Sequence, residues 1–262
     1  MTKLQMIGGG KMGQALLQGL IDAQWATPEE LAVVEVLTDQ RDRLAGQFPG
    51  LTVIDRPLTA VDAVLAVKPH FVAEVCGALR EPTRVLSIAA GVTIATMEAA
   101  LPNATPVMRS MPNTPALVGA GAAGLAGGST ASADDIEWAS GILSSVGVAV
   151  EVNESMLDAV TGLSGSGPAY LFLVAEAMTD AGVAIGLTRD VSARLARQTI
   201  YGAGKMMVET GTEPAELRAG VTTPAGTTAA GLAALEDRGL RAAMAAAVKA
   251  AAQRSIELGK AE

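Results

Sequence analysis

The chain has 262 residues, of which 50% are apolar, 18% charged and only 3% aromatic, and its formal charge is -8. That balance excludes a disordered chain and suits two domains with cores of Ala, Val, Leu and Met. An acidic surface poor in aromatic rings excludes nucleic acid and anionic membranes as partners, because both require a basic face.

In chain order, Leu4 to Ile7 is predicted as a strand that runs into Gly8-Gly9-Gly10-Lys11-Met12-Gly13 and then into the helical pattern Ala15, Leu16, Gly19, Leu20. Gly8, Gly10 and Gly13 fit the dinucleotide fingerprint: a tight turn, close approach to a pyrophosphate and close packing of helix on strand. Leu31 to Val36 reads as a second strand, with Glu35 at its end, 22 residues after Gly13. Glu35 reads either as an acceptor for a ribose hydroxyl or as a solvated strand end. Further strands are predicted at Val61 to Val67, Val85 to Ile88, Pro106 to Met108 and Val146 to Val150. Their alternation with helices implies a mainly parallel sheet covered on both faces, with ligands at the carboxyl ends of the strands.

After Asn153 the pattern is helical: Ser155 to Thr161, Ala169 to Ala184, Thr188 to Thr210, Pro224 to Glu236 and Leu240 to Leu258. The expected fold is therefore an α/β dinucleotide-binding domain of Rossmann type over residues 1–152, followed by an all-α domain over 153–262 for substrate binding and dimerisation. Tyr170, Leu171, Phe172, Leu173, Val174, Ala175, Ala177 and Met178 make one helix apolar almost all round. Such a helix is buried on all sides, and a second copy of the chain is the economical cover, so a homodimer is expected.

Two segments of the helical half invite chemistry. Asp158 to Tyr170 reads as joining two helices through a tight glycine-rich corner in which Ser164 or Ser166 either caps the next helix or offers a hydroxyl to a ligand. Val221-Thr222-Thr223-Pro224-Ala225-Gly226-Thr227-Thr228 reads as a helix start with Thr223 as N-cap and Pro224 in the first helical position. Its free N–H groups near Ala225, Gly226 and Thr227 favour a carboxylate or phosphate. Cys76 is the sole cysteine and His70 the sole histidine, so neither an intrachain disulfide nor a Cys/His zinc site is expected, and no metal is assigned. The charges scattered through Ala229 to Ala252 argue against a membrane helix. No signal peptide is predicted, and a cytoplasmic location is expected.

Gly8 to Gly13, Ala66-Val67-Lys68-Pro69, Met111-Pro112-Asn113-Thr114-Pro115, Gly165 to Tyr170 and Val221 to Thr228 together resemble pyrroline-5-carboxylate reductase over essentially the whole chain. The resemblance implies reduction of 1-pyrroline-5-carboxylate to L-proline by NADPH or NADH, the final step of proline biosynthesis. It places Gly8, Gly10, Lys11, Met12, Gly13, Glu35, Ala66, Val67, Lys68, Pro69, Ala89, Ala90 and Asn113 on the cofactor. It gives Glu154, Ser166, Thr223, Ala225, Gly226, Thr227 and Thr228 to the substrate, with the Thr228 hydroxyl on the ring nitrogen as the catalytic contact. Glu154 reads equally as a capping or surface carboxylate. The family also admits a decamer.

Three positions depart from the family pattern. Ala225 stands where a second glycine is usual, and Gly220 where asparagine is frequent. Glu35-Val36-Leu37 replaces the small polar or basic residues that receive the 2′-phosphate of NADP, so comparatively good use of NADH is expected, with Arg41, Arg43 or Arg56 as the alternative phosphate partners. Two rivals are a β-hydroxyacid dehydrogenase and a non-catalytic nicotinamide-nucleotide sensor. The first needs a lysine soon after the second glycine motif, where this chain has none; Lys205 comes far later.

Overall fold

The computed structural model describes residues 1–102 and 104–260; the last two residues of the expected helical domain, 261 and 262, lie outside the described residues. Two compact units are formed, one from Met1–Ser166 with Val248–Glu262 and the other from Gly167–Ala247.

The first unit is built on eight strands: β1 (Leu4–Ile7), β2 (Leu31–Val34), β3 (Thr52–Ile54), β4 (Asp62–Leu65), β5 (Val85–Ser87), β6 (Val107–Met111), β7 (Gly121–Gly127) and β8 (Gly147–Glu151). They lie in the order β3-β2-β1-β4-β5-β6-β7-β8, and only the β6/β7 pair is antiparallel. The chain proceeds outward from β1 to β3 in one direction and from β4 to β6 in the other. The order therefore reverses between β1 and β4, which is where open α/β sheets open a crevice for ligands. Helices α1 (Lys11–Asp22), α2 (Thr38–Gln47), α3 (Val72–Ala78), α4 (Ile94–Ala100) and α5 (Ala133–Ser144) join the strands.

Burial on both faces explains why these strands read as continuous apolar runs instead of alternating ones. Leu16, Leu17 and Leu20 of α1 and Ile142 and Leu143 of α5 pack with Met6, Val33 and Leu125 on one face. Val72 and Cys76 of α3 and Ile94 and Met97 of α4 pack with Ile7, Val34 and Leu65 on the other. Each fully buried leucine contributes roughly 1.5–3 kcal/mol. Gln5 is the polar exception inside β1: its amide donates to the carbonyls of Leu58 (3.1 Å) and Val61 (3.3 Å) and accepts from Leu58 N–H (2.8 Å), so nothing polar is stranded.

Beyond β8 come a 3₁₀ turn (Glu154–Met156), α6 (Leu157–Val160) and a wide π turn (Thr161–Gly165). The tight corner expected here is absent, because the chain stays helical into α7 (Gly167–Ala184). Ser164 returns its hydroxyl to Val160 O (3.1 Å), and Ser166, at φ -87° and ψ -20°, stands directly before Gly167, the first residue of α7. The glycine at 162 answers a packing need instead: a methyl there would sit 2.6 Å from the carbonyl oxygen of Val248 in α11 (Leu240–Lys260).

The second unit contains α7, α8 (Arg189–Thr210), α9 (Pro214–Gly220), α10 (Thr227–Asp237) and the first turns of α11. Thr188 caps α8 by accepting from Val191 N–H, and Gly211, left-handed at φ 63°, ends it. Little of this unit is covered by its own residues. Leu171, Phe172, Leu173, Met178, Leu195, Met206 and Val208 are all exposed, the all-round apolar character of α7 among them. Among the described residues, no helix is long and apolar enough to cross a membrane.

Candidate nucleotide and substrate sites

The carboxyl ends of β2, β1, β4, β5 and β6 lie side by side, so the segments following them share one rim. Gly8 to Gly10 follow β1, Glu35 follows β2, Ala66 to Pro69 follow β4, Ala89 and Ala90 follow β5, and Asn113 follows β6. The register Ile7↔Leu65 brings the first and third of these into contact.

The glycine turn is built for close approach. Gly8 has φ 105°, and a methyl on it would lie 2.7 Å from Ala66 O. A methyl on Gly13 would run into the carbonyl oxygen of Gly8, whereas one on Gly10 would meet open space. Gly9 is held from three sides. Its N–H donates to Glu35 Oε2 (3.1 Å), and its carbonyl accepts from the amides of Gln14 (2.6 Å) and Gln40 (3.0 Å). At the head of α1, Gly10 offers no side-chain cap, no acidic residue occupies the first turn, and the N–H groups of Lys11, Met12 and Gly13 have no recorded acceptor. Free donors, the positive end of a helix and a floor without side chains fit a pyrophosphate.

Glu35 stands just past β2, which ends at Val34, two residues short of the expected limit. Its Oε2 takes the Gly9 N–H and its Oε1 the Leu37 N–H (3.0 Å). A carboxylate has about four acceptor positions, so both oxygens retain one for a ribose hydroxyl. Val67 is half-buried, Lys68 exposed, and Ala89 buried with its N–H on Ser87 Oγ (3.3 Å). Asn113 is only 8% exposed. Its amide spans the rim, donating to Ser164 O (3.0 Å) and accepting from Ala122 N–H (2.9 Å).

Sequence reasoning missed a partly buried ion pair beside this rim. Arg109, on β6 and 9% exposed, donates from Nη1 to Glu154 Oε1 at 3.0 Å, and that same oxygen accepts the N–H of Ile94 at the start of α4 (2.7 Å). Glu154 therefore ties β6, α4 and the entry to α6 together, while its side chain keeps about one third of its surface exposed. The arginine two residues before Met111 was the available signal.

In the helical unit, Thr223 to Gly226 is a turn closed by Gly226 N–H on Thr223 O (3.0 Å), and α10 starts at Thr227 with Gly226 as N-cap. The helix expected from Pro224 with Thr223 as cap thus begins three residues later. The physical reason is Ala225, which adopts φ 55° directly after Pro224. Proline followed by a left-handed residue is turn geometry, and a helix cannot continue through it. Ala225, Thr227, Thr228 and Ala229 have no recorded backbone acceptor for their N–H groups, and Thr228 is half-buried. The anion-holding character of the segment is thus compatible with a different local geometry. Lys205 on α8 is exposed and paired with Glu209 (3.4 Å). Among the described residues, no group of His, Cys, Asp and Glu is arranged to hold a metal.

A glycine-turn dinucleotide rim on a doubly wound sheet, followed by an unsheltered helical unit, defines a nicotinamide-dependent oxidoreductase with an oligomer-forming region. Residues 3–91 match the family model described as NADP oxidoreductase coenzyme F420-dependent, and residues 154–258 match that for pyrroline-5-carboxylate reductase dimerisation. The pyrroline-5-carboxylate reductase of Corynebacterium melassecola is 44% identical, covering 99% of this chain and all of the relative; that of Methanosarcina acetivorans is 45% identical, covering 98% of each. Among solved structures, a pyrroline-5-carboxylate reductase from Coxiella burnetii superposes with a TM-score of 0.93 at 36% identity, covering 98% of both chains. Plasmodium falciparum pyrroline carboxylate reductase with NADP bound gives 0.80 at 29% identity, again covering 98% of both. The chain belongs to the pyrroline-5-carboxylate reductases.

Proposed function

We propose that this protein reduces 1-pyrroline-5-carboxylate to L-proline with NADPH or NADH, the last step of proline biosynthesis. End-to-end kinship with reductases named for that substrate carries the reading, and each unit supplies a matching holder. The nicotinamide nucleotide, when bound, supplies the hydride. Gly8, Gly10, Lys11, Met12 and Gly13 hold its pyrophosphate, Ala66 to Pro69, Ala89 and Ala90 line the adjoining rim, and Asn113 fixes the nicotinamide end. Glu35 accepts from the adenosine ribose, which favours comparatively good use of NADH.

In the helical unit, Thr223 and the N–H groups at Ala225 to Thr227 hold the substrate carboxylate; Ser166 and Glu154, which belong to the first unit, are given to the substrate by the family resemblance. The imine is protonated by water near neutral pH, so no strong acid is needed from the protein. The resulting iminium N–H donates to Thr228 Oγ1, which orients the C=N bond and steadies its charge. The exposed apolar surface of α7 and α8 belongs against a second copy, giving a homodimer that can assemble further into a decamer. The assigned location is the cytoplasm.

Thr228→Ala tests the site. Loss of one hydrogen bond to a charged group lowers kcat/KM for the imine by about 10- to 100-fold, while NADH affinity measured by fluorescence stays within twofold. Unchanged turnover would remove Thr228 from its role.

A further inference from the structure

The segment after β2 carries two opposite charges in one small frame, each hydrogen-bonded to backbone. The two oxygens of Glu35 accept from two backbone groups, Oε2 from the Gly9 N–H and Oε1 from the Leu37 N–H. On the outer side, Arg41 folds back over the same segment. Its Nη1 donates to the carbonyls of Glu35 and Val36 (both 2.9 Å), and its Nη2 donates to Thr38 Oγ1 (3.0 Å). A guanidinium has five N–H donors. Three bonds to the protein leave the Nε–H and one Nη2–H without a partner among the described residues. Arg41 is half-buried and anchored, whereas Arg43 and Arg56 are exposed and have no recorded side-chain partner. Val36 and Leu37, which flank the frame, are 77% and 65% exposed, so the chain leaves this edge uncovered.

We propose that Arg41 is the residue that receives the adenosine 2′-phosphate, so that this chain accepts NADPH even though a carboxylate stands at the end of β2. The inference rests on the dinucleotide reading of the rim. An anchored planar fork with two unspent donors suits a phosphate monoester, and little side-chain freedom remains to be lost when it binds. The backbone carbonyls that hold Arg41 fix its position without neutralising its charge. Each oxygen of Glu35 already accepts one backbone N–H, that of Gly9 on the glycine turn or that of Leu37 in its own segment, which offsets part of its repulsion of the phosphate.

The test uses the full-length protein and two fragments of the cofactor, 5′-AMP and adenosine 2′,5′-bisphosphate, titrated by calorimetry. The wild type is expected to bind the bisphosphate more tightly than AMP. In Arg41→Gln, which retains amide donors for the two carbonyls, the ratio of the two affinities is expected to collapse by about tenfold or more, the worth of one charge-assisted phosphate contact. Arg43→Gln should leave the ratio within twofold. In ³¹P spectra, the 2′-phosphate pKa, about 6 when free, should fall on binding to wild type and stay near its free value with Arg41→Gln. Equal weakening of both fragments in Arg41→Gln, with the ³¹P behaviour unchanged, would make Arg41 a loop brace and overturn the proposal. If wild type binds AMP but binds the bisphosphate no better, the Arg41 assignment fails alone. If it binds neither fragment, the dinucleotide reading itself falls.

Discussion

Gly8→Ala puts the nucleotide rim under the most direct stress. The backbone at Gly8 has φ 105°, a conformation that costs a residue with a side chain on the order of 1–3 kcal/mol. The added methyl would also sit 2.7 Å from the Ala66 carbonyl oxygen and 3.0 Å from its carbon. Ala66 N–H, in the preceding peptide, is bonded to Ile7 O (2.8 Å), so the residue that carries this carbonyl is tethered to the β1/β4 ladder and has little room to withdraw. The glycine turn must move instead, by about 0.7 Å, since ordinary contacts of such a methyl begin near 3.4 Å. Displacement weakens the N–H bonds to a pyrophosphate, and losing two such bonds at about 1.5 kcal/mol each raises the NADH Kd on the order of a hundredfold. Strain of about 2–3 kcal/mol lowers Tm by roughly 5–10 °C. Fluorescence titration and calorimetric melting read the two effects separately. Gly46→Ala is the control: it lies in α2 with nothing within 4 Å of the added methyl, and it should raise stability by up to about 1 kcal/mol. A Gly8→Ala protein with Tm within about 1 °C of wild type and Kd within about twofold would refute the close-approach argument.

Ala225→Gly should relieve the left-handed strain at φ 55° and leave stability unchanged or raised by up to about 1 kcal/mol in chemical denaturation; a clear loss would show that the alanine methyl makes a stabilising contact. Burial pushes the Cys76 thiol up to about 11 from an ordinary 9.0, so a thiol reagent near neutral pH should label the denatured chain and spare the native one. Because the folded value is the higher, the stability linked to this thiol is complete below pH 9 and declines as pH rises towards 11; denaturant melts of wild type against Cys76→Ala across that window should converge. Leu173→Lys, on an exposed face of α7, should convert the assembly to monomer or insoluble protein in sedimentation velocity, and an unaltered mass would place the interface elsewhere.

Local signals carried much of this fold. The glycine turn was legible because strand, glycine spacing and helix are adjacent in sequence, whereas the reversal of sheet order between β1 and β4 rests on long-range strand pairing that no local pattern carries. β7 was invisible because Gly121–Gly127 contains no β-branched or aromatic residue. Its small residues are demanded by tertiary contacts, since a methyl on Gly124 would press on Val160 and Leu157. The start of α10 was misread for a similar reason: alanine disfavours the left-handed turn that Ala225 adopts, so local preference pointed to a helix beginning at Pro224. The clamp of Arg109 on Glu154 joins residues 45 apart, which no periodicity encodes.

Transfer of a labelled hydride tests the central claim most directly. Reduced nicotinamide carrying deuterium at the transferable position is incubated with the protein and 1-pyrroline-5-carboxylate, and the proline formed is read by mass spectrometry and NMR. The account predicts one deuterium per proline, on the carbon of the former C=N bond, with equivalent loss of reduced cofactor. Cofactor that survives in the presence of the imine, or proline that forms without the label, would contradict it.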